Sequence, residues 1–585
     1  MSAAPAAVPS ATPARPAGIV PMFIGLMTAM LLSALDQTMF ATALPTIVGE
    51  LGGVDLMLWV TTAYILAATI TMPIYGKFGD LVGRKGLLLI AIAIFIAGSV
   101  VGALASDMPE LILGRAIQGI GGGGLMVLAQ AIIADVIPAR ERGRYMGFLG
   151  SVFALSSVLG PLLGGWFTES IGWQWCLWIN LPMGAIAVVT VMFFLHPPRV
   201  ERAKVVPDIA GMTLLAVATT CLVLATTWGG HEYAWISPMI IVLLIVTVGA
   251  TVGLVMVERH AAEPVLPLGL FRRRNFVLTT LAGLMVGIAM FGTVTYMPTY
   301  MQMVTGVNAT VAGLLIVPLA ATQVATSIIA GRRVSRTGKY KSVLIAGVAI
   351  VTVALLLMST MVYDEPLWLT CLYLAILGLG LGMVMQNLVL VVQNTFPLSV
   401  VGTATAANNY FRQIGATLGA ALVGSVFTGR LTSLLTTRLP ADAVEASGAD
   451  FNSITPEAVA ALPDPYHDIV VSSYNDALAP VLGWIAPLTL LAVVLLLFVR
   501  EVPLRTSTHR DEATGQPEPV TEGVGESLDW DGRLESDYAS SLSPQARAEL
   551  LAEERAELQE RLGEIDAEVS TLELQIRESE GRSPQ

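Results

Sequence analysis

The sequence predicts an all-α polytopic membrane protein with fourteen transmembrane helices, and three observations carry that prediction. Of its 585 residues, 54% are hydrophobic and only 13% charged, against about 25% charged in a soluble domain. The apolar residues fall in repeated runs of roughly 20, the length that crosses a bilayer as a helix. Between the runs, the basic residues segregate into alternate loops.

The runs, bounded by charges, Gly or Pro, lie near 18–45, 54–75, 86–105, 109–134, 143–167, 173–196, 208–228, 235–257, 276–300, 308–331, 341–362, 366–393, 402–428 and 477–499. An even number puts both termini on one side. One set of loops holds 18 basic residues, from Lys77, Arg84 and Lys85 through Arg140, Arg142, Arg144, Arg199, Arg202, Lys204, Arg259 and Arg272–Arg274 to Arg332, Arg333, Arg336, Lys339 and Lys341. The other set holds only Arg430 and Arg438. The positive-inside rule makes the first set, and both termini, cytoplasmic. The tail "MSAAPAAVPSATPARPAG" carries one charge, Arg15, and no small-residue cleavage site after an apolar core, so the first run is expected to be a retained helix.

Two loops share a pattern of Gly, basic residues, Gly and basic again: "GKFGDLVGRKG" (76–86) after span 2 and "GRRVSRTGKYKS" (331–342) after span 10. This suggests parallel halves around a central cavity, with spans 7 and 8 inserted between two six-helix bundles. The expected division is a tail 1–17, a bundle 18–196, the inserted pair 197–257 and a bundle 258–499 carrying an outer loop 429–476. A disordered linker 500–543 and a coiled coil 544–579 follow.

The net charge of −12 belongs to the tail: from Arg500 onward there are 21 acidic and 9 basic residues, leaving 23 of each before it. Nothing suggests nucleic-acid binding. Cys176, Cys221 and Cys371 sit in apolar runs as small hydrophobes. Neither a nucleophile–base pair nor a metal cluster stands out, so enzyme chemistry is disfavoured and no cofactor is expected. "GIGGGG" (119–124) follows no strand, so it reads as close helix packing rather than a phosphate-binding turn.

Polar residues inside the spans are costly, about 2.5–3.5 kcal/mol for a charge at the centre. Asp36 lies in span 1 of "LDQTMFATALP", and Arg115 lies in span 4 at a comparable depth. Two readings stay open: a proton site whose affinity is tuned by Arg115 or Gln118, or a structural or snorkelling pair. In "LGPLLGG" (159–165), Pro161 beside Gly160, Gly164 and Gly165 should bend span 5 and admit a close neighbour. The second half contributes amides: Thr322 and Gln323 in span 10, Gln386, Asn387, Gln393 and Asn394 in span 12, and "NNYFRQIG" (408–415) with Asn408, Asn409 and Arg412. Gln118, Gln323, Gln386, Asn387, Asn408, Asn409 and Arg412 are the candidate cavity lining. Twenty-four methionines suit adaptable, lipophilic binding.

With these residues in view, the chain resembles the fourteen-helix drug:proton antiporters of the major facilitator superfamily, the quaternary-ammonium and multidrug exporter type. "LDQTMFATALP" resembles the span-1 motif, which implies a proton site at Asp36. "RAIQGIGGG" resembles the span-4 motif, which implies proton transfer through Arg115. "GKFGDLVGRK" resembles the loop 2–3 motif, implying a cytoplasmic gate of Gly76, Asp80, Gly83, Arg84 and Lys85 with Asp135. "LGPLLGG" resembles the span-5 antiporter motif, and "NNYFRQIGATLG" the start of span 13 in the same group. The resemblance covers residues 18–499 and implies a major facilitator fold. One departure stands out: where relatives that export divalent cations carry further acids, this chain has amides, which favours monovalent or neutral substrates.

The expected function is therefore proton-coupled export of lipophilic drugs or antibiotics from a bacterial inner membrane by alternating access. Its partners would be the substrate, protons and the lipid bilayer. A dedicated exporter of an endogenous lipid or metabolite is the second reading. The third, a membrane scaffold or sensor, rests on the tail: Leu551, Leu558, Leu562, Ile565, Val569, Leu572 and Ile576 form a heptad seam interrupted by Arg555. Self-association or a protein partner through 544–579 is expected.

Overall fold

A bilayer core offers no water to backbone N–H and C=O groups, so a crossing segment closes its hydrogen bonds internally as a helix. The computed structural model describes residues 19–53, 56–195, 207–230, 232–440, 459, 462–463 and 466–504. Among the described residues, fourteen helices are long and apolar enough to cross. They are α1 (Ile19–Leu51), α2 (Met57–Val82), α3 (Arg84–Ala103), α4 (Met108–Val136) and α5 (Ala139–Ser170). Next come α6 (Trp175–Phe194), α7 (Ile209–Trp228), α8 (Pro238–Glu258), α9 (Arg274–Thr305), α10 (Val311–Thr337) and α11 (Lys341–Met358). The last three are α12 (Leu367–Thr395), α13 (Val401–Arg438) and α14 (Tyr466–Leu497).

Local chemistry sets several boundaries. Asp107 caps α4 by accepting from the Glu110 amide at 2.8 Å, while the Glu110 carboxylate accepts from the Ser106 amide at 2.8 Å. A turn at Ile179 interrupts α6, because Pro182 has no N–H to return to the Trp178 carbonyl. The glycine between α2 and α3, Gly83, sits at φ 102°, a conformation glycine adopts readily.

Two expectations need correction. The apolar run predicted to end at 45 continues to Leu51, where Glu50 accepts a hydrogen bond from the Trp173 indole at 2.9 Å. The outer loop expected over 429–476 is shorter at both ends, since α13 runs to Arg438 and α14 starts at Tyr466. Those extensions are held by polar contacts that hydropathy does not register: Arg438 pairs with Asp476 at 2.7 Å, and Arg430 donates to the Asp476 carbonyl at 3.0 Å. Pro161 lies inside α5, which runs as one helix from Ala139 to Ser170. The tail 1–17, Arg199, Arg202 and Lys204, the linker from 505 and the coiled coil over 544–579 lie outside the described residues.

Helix α4 is the hub of the first half. It packs on α2 and α3, and most of it is buried. Its glycines permit this: a Cβ at Gly119 or Gly123 would strike the Tyr64 or Ala68 carbonyl of α2, and one at Gly121 would strike the Ala91 carbonyl of α3. Helices associate in lipid through such small-residue contacts, since lipid tails remove the hydrophobic drive between them. In the second half α9 packs on α13, α11 on α12, and α14 on α9, α11 and α13. The halves meet where α5 lies on α10 and α12, and where α2 lies on α13. The α7–α8 hairpin leans on α2 and α13. Trp228 packs edge-on against Trp59 at 5.9 Å, and Thr219 shares a hydrogen bond with Tyr410 at 2.8 Å.

Candidate functional site

Asp36 is fully buried, and what surrounds it comes from five helices. Arg115 of α4 forms an ion pair with its Oδ2. Its Oδ1 accepts from Gln118 Nε2 at 3.1 Å and from Asn180 Nδ2 of α6 at 2.9 Å. Both amides also donate to Ser99 Oγ of α3, at 2.7 and 3.1 Å, and Ser99 passes its own proton to the Phe95 carbonyl at 3.0 Å. Arg115 also donates to Gln118 Oε1 at 2.8 Å. Its guanidinium lies between the faces of Phe40 and Tyr64, 4.1 and 4.4 Å from their centroids. Tyr64, in α2, is fixed by a 2.8 Å hydrogen bond to Ser33. A carboxylate and a guanidinium away from water are tolerable only when both are paired and their remaining sites are filled. This network does so.

The juxtaposition of Asp36 and Arg115 agrees with the depth expected from sequence. Gln118 belongs to this cluster rather than to a separate cavity lining. Asn180, Ser99 and Tyr64 were missed. Asn180 had a signal, an amide in an apolar run two residues before a proline ("WINLPMG").

The span-5 motif braces the same helix. Gly160 meets Thr38 and Gly164 meets Met39 and Thr42, all on α1 within two turns of Asp36, and Thr38 Oγ1 donates to the Ser156 carbonyl at 2.8 Å. Gly165 takes no part, having nothing within 4 Å of a Cβ built on it.

At the end of the bundle that gathers the basic loops, here the basic end, the sequence-derived gate assembles. Arg84 forms ion pairs with Asp80, at 2.5 Å, and with Asp135, and donates to the carbonyls of Ala131 at 2.8 Å and Leu398 at 3.2 Å. Asp80 then reaches across the halves to the start of α13. It accepts from the amides of Gly402 at 3.1 Å and Thr403 at 2.7 Å, and from Thr403 Oγ1 at 2.7 Å. An anion on unpaired helix N-terminal amides is favourable. Gly76 permits the approach, because a Cβ there would strike Ala406 and lie 2.8 Å from the Gly402 carbonyl. Lys85 is not in this cluster: its ammonium caps α6 by donating to the Met192 and Leu195 carbonyls at 2.9 and 2.6 Å.

The remaining polar candidates divide. Asn409 Nδ2 donates to Gln130 Oε1 at 2.7 Å, and Arg142 donates to Gln393 Oε1 at 3.2 Å, both across the halves. Asn408 accepts from Thr280 at 3.4 Å within the second half. Asn387 serves its own helix, donating to the Met383 carbonyl at 2.7 Å. Gln323 and Gln386 are buried at the α5, α10 and α12 junction, and Gln386 Oε1 has no partner. Arg412 lies three turns into α13 and reaches the seam between halves, against Met126 and Met385.

The Major Facilitator Superfamily model matches residues 26–420. An MFS-type transporter of Mycobacterium tuberculosis is 41% identical over 493 residues, 84% of this chain and 70% of that protein. Multidrug resistance protein 3 of Bacillus subtilis is 34% identical over 85% of this chain and 98% of its own length. The solved proton:xylose symporter XylE superposes with a TM-score of 0.52 at 16% identity, over 83% of this chain and 96% of that one, a likeness of fold alone. On the match to the family and to these relatives, the chain belongs to the Major Facilitator Superfamily of membrane transporters.

Proposed function

We propose that the protein is a proton-coupled antiporter that exports lipophilic, monovalent-cationic or neutral drugs and antibiotics across the bacterial inner membrane, with its basic end and both termini cytoplasmic. The observation that carries the reading is the sealed Asp36–Arg115 pair with its amide and hydroxyl partners. The likeness to Multidrug resistance protein 3 of Bacillus subtilis supports the substrate class.

In this reading Asp36 alternates between two states. Ionised, it holds Arg115, Gln118 and Asn180 and draws α1, α4 and α6 together. Protonated from outside, it gives up the charge that holds Arg115, and α1 is free to shift against α5 along the Gly160–Gly164 contact. Substrate arriving from the cytoplasm favours release of that proton inward. The gate formed by Asp80, Arg84, Asp135 and Thr403 keeps the cytoplasmic side shut while the site faces outward.

The test is substrate-induced proton movement in proteoliposomes under an imposed pH gradient, across several lipophilic cations. Wild type should move protons when substrate is added and Asp36→Asn should not. Proton movement undiminished in a folded Asp36→Asn would overturn the reading.

A further inference from the structure

Arg412 lies three turns into α13, and among the described residues the polar partners of its guanidinium are two thioethers. Nη1 lies 3.9 Å from Met385 Sδ of α12, and Nη2 lies 3.9 Å from Met126 Sδ of α4. The two methionines belong to different halves and are both buried, whereas Arg412 stays half-buried. Among the described residues no carboxylate pairs with it. Asp36, the carboxylate well inside a span, is already held by Arg115. A guanidinium carries five N–H donors and keeps its charge at any working pH. Methionine sulfur is a weak acceptor, so two such contacts leave the charge uncompensated in a site where each lost partner is expensive. Asn409, one helical turn back, has an unpartnered buried Oδ1, and Gln386, next to Met385, has an unpartnered Oε1.

We propose that Arg412 receives an acidic group of the transported molecule. Among the neutral cargo of the exporter reading, this singles out lipophilic molecules that carry an acid, zwitterions above all: an apolar body against Met126 and Met385, and a carboxylate or phosphate oxygen on the guanidinium fork. This rests on the exporter reading above and deepens it. A bidentate pair with a planar acid is what arginine's geometry favours over lysine's. The position fits the role, since the two flanking methionines separate when the halves part, and an acid bound there is released with them.

Three probes sharing one fluorophore test this: 1-pyrenebutyrate, 1-pyrenebutanol and 1-pyrenebutylamine, binding the full chain in detergent. Binding is read as pyrene emission sensitised by its ten tryptophans. Wild type should bind the acid about tenfold or more tightly than the amine. Arg412→Gln should bring the two within about twofold, and Arg412→Lys should keep the order with a smaller ratio. Met126→Glu supplies a carboxylate to Arg412 from the other half and should also abolish the preference, so the test survives a poorly folding Arg412→Gln. No preference in wild type would overturn the proposal, as would a preference that persists in Arg412→Gln or Met126→Glu melting like wild type. Dioleoylphosphatidylglycerol provides a further arm. If it displaces pyrenebutyrate, the occupant is a lipid headgroup and the assignment to cargo fails; if it does not, the assignment stands. Asp36→Asn should keep the acid preference while losing proton movement, so failure here and failure of the exporter reading give different results.

Discussion

Arg115 and Arg412 are both arginines carried deep in membrane-spanning helices, and the chain treats them in opposite ways. Arg115 is 1% exposed, paired with Asp36, flanked by two aromatic rings and sealed inside the first half. Arg412 stands at the seam between halves with two methionine sulfurs and, among the described residues, no acid. A charge whose partner is built in can be switched only by changing that partner's protonation. A charge left unpartnered waits for something that arrives. On the readings proposed above, the difference is that between a proton switch and a cargo receptor, and variants at each should behave accordingly.

The largest effect is expected at Asp36. Asp36→Asn should reduce proton-coupled transport to the background of empty liposomes. It should also lower stability by about 3–5 kcal/mol, because Arg115 is left buried without its anion. Adding Arg115→Gln removes the orphaned charge, so the double variant should regain much of the melting temperature while transport stays lost. Should the single variant melt like wild type, Arg115 does not depend on Asp36, and the contrast with Arg412 collapses.

Next in size is Asn180, which sharpens the same contrast. It donates to Asp36 Oδ1 at 2.9 Å and to Ser99 at 3.1 Å, and a hydrogen bond to a charged group is worth about 1.5–3 kcal/mol. Asn180→Ala should cut proton movement per substrate by about tenfold or more with substrate binding to the detergent-solubilised chain unchanged. Equal losses in binding and proton movement would make it a packing residue instead.

The gate should respond more mildly. Asp80→Asn takes the anion from the start of α13 and from Arg84, and a charged cap is worth about 1–2 kcal/mol. Amide hydrogen exchange over residues 401–406 should rise by about tenfold, reporting a basic end that opens more often. Exchange equal to wild type would mean that other contacts across the seam, such as Arg142 to Gln393, hold the gate without it.

The parts legible in the sequence are those with an energetic signature in one residue. Asp36 and Arg115 are conspicuous because a charge in an apolar run demands a partner, whereas Gly76, Asp80 and Arg84 stood out through the resemblance of "GKFGDLVGRK" to the loop 2–3 motif. Amides carry less information, since an apolar run does not fix which face they occupy. Thus Asn180 and Ser99 went unremarked, Gln118 turned inward to Asp36, and Asn387 spends its donor on its own helix. Lys85 looked like part of the gate by adjacency to Arg84, yet one position further round the helix directs it to α6. Helix ends beyond the membrane have no hydropathy signal, so the ends of α13 and α14 depend on Arg438 finding Asp476.

The smallest effect is expected at the inserted hairpin. The Thr219 hydroxyl meets Tyr410 of α13 at 2.8 Å, and Leu215 and Leu254 pack with Val401 and Ala404. Side-chain hydrogen bonds between membrane helices average about 0.6 kcal/mol, so Thr219→Val should lower the melting temperature by only about 1–2 °C and leave transport unchanged. The outward face of α8 supports that expectation, for Ile241, Val242, Ile245 and Val248 are exposed and apolar as a lipid-facing surface is. A tenfold loss of transport in a stable Thr219→Val would instead make the hairpin a moving part. Tyr410 lies two residues from Arg412 on the same helix, so a hairpin that moves would shift the receptor arginine against Met126 with every cycle.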